Sequence, residues 1–328
     1  MDFKTTINKS AKSIFALTIT AAVLLLISFT DSFDKVNGYF IDGVAPDMFI
    51  SIYIVGIVAS FFSSLILKSK DFNVDASVPK IDKPTYGLIA ALLTILALYF
   101  AVDEEALMMP RQWRYLTSIG VLSFGVYLFT VTFMRQESSK KVKTVFIFLS
   151  ALFPIALTLG NNSNYYRHIN SVENILSAVF SISFLIYLLR EEKRVISGKY
   201  TSAHFSSLIL TFFTGLPLSS AYVIAFICGK VNEPIRYFQM LFVLLISIYL
   251  AVQLNRLMHR VNKKPTEIAI TDHVEQSDNT IKDEKTNEIP YYMDNYNNVL
   301  EENYKSFDEI DGQNKDLIDD IYNSYHEE

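Results

Sequence analysis

The chain has 328 residues, 51% of them hydrophobic, and a formal net charge of −5. Its single cysteine, Cys228, excludes an intrachain disulfide and a cysteine-built metal site. The acidic balance gives no basis for a nucleic-acid partner, and the absence of a phosphate-cradling glycine loop or an H-E-x-x-H pair points to no cofactor.

Eight apolar stretches follow one another along the chain: 13–30, 48–67, 84–102, 115–134, 144–166, 174–189, 205–229 and 237–255. No Lys, Arg, Asp or Glu falls inside any of them. A bilayer core about 30 Å thick is crossed by roughly 20 mostly apolar residues. Seven stretches meet that length. The sixth is short, and Arg190 at its end would extend it by snorkelling. The first stretch is too long for a signal core and lacks a small-x-small cleavage pattern, so it reads as a retained helix. The expected fold is all-α. A polytopic bundle of about eight transmembrane helices fills residues 1–264, in contact with the lipid bilayer, and an acidic tail occupies 265–328.

Basic residues alternate between the two sides. Lys and Arg near short loops are retained in the cytoplasm. The N-terminus, the second, fourth and sixth loops and the end of stretch eight carry 19 of them, and the other loops carry six. Both termini are therefore expected in the cytoplasm. Tyr39, Tyr99, Trp113, Tyr115, Tyr165, Tyr166, Tyr200 and Tyr237 lie near predicted span ends, where amphipathic rings prefer the headgroup layer. Abundant Lys, Asn, Ile and Tyr suggest an AT-rich bacterial genome and a plasma-membrane location.

Small residues recur at four-residue spacing: Gly56, Ser60 and Ser64; Gly87 and Ala91; Ser177 and Ser181; Thr211, Gly215 and Ser219. Such faces let helices approach closely in lipid. Pro154 and Pro217 fall near the predicted midplane and should kink stretches five and seven. Thr214, Gly215, Pro217 and Ser219 in stretch seven are the candidate solute site, because Gly and Pro two apart can unwind a helix and expose backbone dipoles. Stretches one and three, which would correspond in a four-plus-four repeat, carry no matching interruption. Charge-free spans point away from proton relays and intramembrane catalysis.

Residues 265–328 carry four Lys and 18 Asp or Glu. Residues 265–290 read as a polar linker. In 296–323, Leu300, Tyr304, Phe307, Leu317, Ile318, Ile321 and Tyr322 recur near helical spacing and form a candidate partner-binding segment.

Three functions fit this pattern. The first is a non-enzymatic scaffold, accessory subunit or immunity-type component that recruits a cytoplasmic protein through its tail. The second is a permease or channel for a neutral or amphiphilic solute, built on stretch seven. The third is an interfacial transferase acting on lipid-linked substrates through Asp103, Glu104 and Arg111. Composition favours them in that order.

Overall fold

A computed structural model describes residues 3–34, 38–66, 82–102, 110–134, 140–162, 171–198, 200–231 and 234–262. The elements are α1 (Phe3–Asp31), β1 (Phe33–Asp34), β2 (Tyr39–Phe40), α2 (Val44–Ile66), α3 (Lys83–Val102), α4 (Arg111–Phe133), α5 (Lys140–Ser150), α6 (Leu152–Asn162), α7 (Val172–Ser197), α8 (Ser202–Ile227) and α9 (Pro234–Asn262). The chain divides into two units, Met1–Pro265 and Thr266–Glu328. The second lies outside the described residues, and with it the expected helices at 296–323 and their residues Leu300, Tyr304, Phe307, Leu317, Ile318, Ile321 and Tyr322.

Eight spans among the described residues are long and apolar enough to cross a membrane, with α5 and α6 together supplying one of them. The protein is an all-α, multi-pass membrane bundle. Helices satisfy every backbone group internally, as hydrocarbon requires. The only strands described are β1 and β2, which pair Phe33 with Phe40 and Asp34 with Tyr39 in a small antiparallel hairpin. The Gly38 carbonyl accepts from Val172 N at 3.1 Å, tying this hairpin to the start of α7. That end of the bundle is called the hairpin face. The opposite end, where α1 begins and α9 ends, is the terminal face.

α8 is the most enclosed span and packs against α1, α2, α7 and α9. Hydroxyls join it to its neighbours. Thr211 Oγ1 donates to the Ser183 carbonyl of α7 at 2.9 Å, and Ser63 on α2 meets Ser206 at 3.0 Å. Lipid tails are as apolar as Leu, so such bonds and close approaches hold helices together where burial cannot. α2 and α3 are mostly open at their flanks. Ile54, Val55, Phe61 and Phe62 on α2 and Leu88, Ile95 and Leu98 on α3 are exposed and contact the lipid bilayer.

The two prolines act differently from each other. α8 runs unbroken through Pro217. Its hydroxyls bond backwards within the helix: Ser219 Oγ donates to the Gly215 carbonyl at 2.7 Å and Ser220 Oγ to that of Leu216 at 2.6 Å. The fifth span is the one that breaks, at Ala151 between α5 and α6. Pro154 has no N–H to return to the Ser150 carbonyl, four residues back, so the ladder fails there. Ala151 N instead turns to Phe148 O at 3.1 Å.

The sixth span is longer than the apolar stretch implied. α7 continues past Arg190 to Ser197, held by a Ser171 cap at its start and by Gly198, in the left-handed region at φ 70°, at its end. That extension carries Glu191 and Arg194 into the bundle.

Candidate functional site

The charge-free stretches do not make a charge-free interior. Near the terminal face, Glu191 on α7 is fully buried. Arg194, one turn on, grips it with a fork: Nη2 donates to Oε1 at 2.6 Å and Nε to Oε2 at 2.8 Å. His204, in the first turn of α8, places Nε2 2.6 Å from Oε2. Tyr127 of α4 donates its hydroxyl to Oε1 and accepts from Arg194 Nη2 at 3.2 Å. The Arg194 guanidinium also lies over the Tyr200 ring, 5.1 Å from its centroid. Tyr200 is therefore a buried wall of this cluster, where its position in the sequence suggested a headgroup anchor.

Local sequence explains the placement. Glu191 and Arg194 stand three apart, so a helix puts them on one face. Thr201 caps α8 by accepting from His204 N at 3.2 Å, which orients the first turn and its imidazole. The Gly198 turn between the helices brings the two ends together.

Tyrosines carry the network toward α9. Tyr187 OH donates to Gln253 Oε1 at 2.9 Å and meets Tyr249 OH at 3.4 Å. Tyr249 packs against Tyr86 of α3, with ring centroids 5.3 Å apart. Four helices, α4, α7, α8 and α9, are thus joined by polar side chains at this end.

A second polar layer lies near the hairpin face on two of the same helices. Arg236 of α9 donates from Nη2 to Asn174 Oδ1 of α7 at 2.6 Å, and its Nε stands 4.0 Å from Glu173 Oε2. Glu173, Asn174 and Arg236 are all buried. Between the layers lies an aromatic core that includes Phe124, Phe153, Phe180, Phe184 and Phe242, all buried. Glu173 and Glu191 are separated by about 27 Å of helix at a rise of about 1.5 Å per residue, most of the thickness of a hydrocarbon core.

No family model, curated protein or solved structure matches this chain.

The candidate solute residues of stretch seven sit elsewhere. Thr214, Gly215, Pro217 and Ser219 are buried on α8. Thr214 Oγ1 donates to the Leu210 carbonyl at 2.9 Å, and Gly215 packs against Ser247 and the Phe180 ring. Their geometry is that of helix contact. Asp103 and Glu104 lie outside the described residues, and Arg111 is exposed at the start of α4. Among the described residues, no three His, Cys, Asp or Glu converge to hold a metal.

Hydropathy missed the polar layers for a simple reason. Glu191, Arg194, Glu173 and Arg236 all fall just past the ends of apolar stretches, where a charge normally meets water. The available signal was the i, i+3 pairing of Glu191 with Arg194 and the threonine cap ahead of His204. Tyr127, Tyr187 and Gln253 had no signal of their own.

Proposed function

We propose that the protein is a non-enzymatic permease of the cell membrane, with both termini in the cytoplasm, that carries a small solute by alternating access. One observation carries this: α7 and α9 are clamped to each other by separate side-chain bonds at both membrane ends. Arg236–Asn174 closes the hairpin end, and Tyr187–Gln253 with Tyr187–Tyr249 closes the other. Two gates on one helix pair can open in turn while the other stays shut, the motion alternating access requires. Ionisable residues buried inside a membrane bundle are functional-site candidates by default. Glu191 and His204 supply such groups and remove the objection that the interior has nothing to couple to an ion. The basic-residue alternation supports an outward hairpin face. Recruitment of a partner rests on residues 296–323, which lie outside the described residues.

Ser181, buried on α7 between the clamps, provides the test. In a Cys228→Ala background, Ser181→Cys should react with a membrane-impermeant maleimide in both right-side-out and inside-out vesicles. Tyr187→Phe, which removes the bonds of the terminal clamp, should shift that reactivity toward the terminal side. A thiol shielded from both sides, or open to one side only whatever the state of Tyr187, would end the proposal.

A further inference from the structure

The polar groups between the two clamps do not satisfy one another. Gln239 of α9 is fully buried, and neither its Nε2 nor its Oε1 has a hydrogen-bond partner among the described residues. The same holds for the hydroxyls of Ser177 and Ser181 on α7. Their placement is coherent. Gln239 follows Arg236 by three residues, and Ser177 follows Asn174 by three, so each lies on the same helix face as its clamp residue. Arg236 and Asn174 reach each other at 2.6 Å. The amide and the hydroxyl therefore lie a turn deeper than the clamp, each on the helix face that carries it.

Aromatic rings lie a turn deeper again. Phe242 is one turn beyond Gln239, and Phe180 one turn beyond Ser177. Phe153 bridges the helices, with its ring centroid 6.1 Å from Phe242 and 6.4 Å from Phe184, and Phe184 stacks on Phe180 at 5.7 Å. Buried amides in proteins are almost always hydrogen-bonded. One that finds no partner among the described residues has its hydrogen-bonding groups open to water or a ligand.

We propose that Gln239 and Ser177 bind a small uncharged solute bearing a donor and an acceptor side by side, the chemistry of urea and simple carboxamides. A glutamine amide offers two donors and a carbonyl acceptor in one plane, which pairs edge to edge with another amide. A serine hydroxyl completes either role. Glu173 and Arg236, 4.0 Å apart, offset each other in the layer beside Gln239. The packed aromatic rings beyond Gln239 and Ser177 favour a guest of few heavy atoms. Passage of such a solute depends on the permease reading; its binding does not.

The full chain in liposomes, challenged osmotically with urea, acetamide or glycerol and followed by stopped-flow light scattering, tests this. The native protein should equilibrate urea and acetamide several-fold faster than protein-free vesicles, and glycerol more slowly than either. Gln239→Leu should lower the amide fluxes at least tenfold, and Ser177→Ala several-fold. Gln239→Leu should also raise the melting temperature in detergent, because it removes a buried amide without a partner. A lowered melting temperature would make Gln239 a structural residue and overturn the site. So would amide fluxes that Gln239→Leu leaves unchanged, the result expected if Gln239 and Ser177 bind water alone. Ser181→Cys labelling separates the two ideas: labelling from both sides without amide flux sinks this site and spares the permease, and labelling from neither side sinks the permease.

Discussion

Glu191 is surrounded by the three kinds of donor that make a buried carboxylate tolerable: a forked guanidinium, an imidazole and a phenol. Burying two charges costs several kcal/mol each, and the cost is offset only when their hydrogen bonds are met. Removing one partner leaves the other exposed to that cost. Arg194→Leu should therefore lower the unfolding free energy by about 3–5 kcal/mol, read from chemical denaturation in detergent. The double variant Glu191→Leu/Arg194→Leu should recover most of the loss, because neither charge then remains to be desolvated. A neutral single variant would mean that Glu191 is not held as an ion pair. The i, i+3 spacing of these two residues was legible in the chain. Their burial was not, because it depends on Tyr127 and His204, which arrive from other helices.

Helix by helix, the two prolines, both expected to kink their spans, behave differently. Stretch seven carries Gly and Pro two apart, yet α8 is continuous, packed against α1, α2, α7 and α9 and with its hydroxyls bonding within it. Span five opens at Ala151, where α6 leans on α4. Gly120 is what permits that contact: a Cβ there would collide with the Phe153 backbone. Gly120→Ala should destabilise the fold by about 1–3 kcal/mol or more, as overpacking does. Gly87→Ala is the control, since its Cβ would meet only the tip of Phe133, 3.4 Å away. It should stay within about 0.5 kcal/mol of the parent. Equal melting temperatures for the two variants would refute close approach at Gly120.

At the scale of the whole molecule, the basic-residue alternation and the native cysteine give a direct check of orientation. Cys228 caps the end of α8 on the hairpin face and is exposed. With that face outward, a membrane-impermeant maleimide should label the unmodified protein in intact cells. Labelling only after the membrane is breached would invert the topology. The same orientation would put the Glu191 cluster at the cytoplasmic end and Gln239 toward the outside.

Span number was readable from the chain alone, because a hydrocarbon layer imposes one local rule: about 20 residues without charge. That rule concerns each segment separately and needs no partner. Which polar residues near the span ends are buried is a different kind of fact. Glu191, Arg194, Glu173 and Arg236 read as ordinary loop charge until α4, α7, α8 and α9 come together around them. Hydropathy averages over neighbours along the chain, whereas a hydrogen bond from Arg236 to Asn174 or from Tyr127 to Glu191 joins residues more than 60 positions apart. Only the tertiary arrangement could decide those contacts, because side-chain burial is a property of the packed bundle and of no single helix in it.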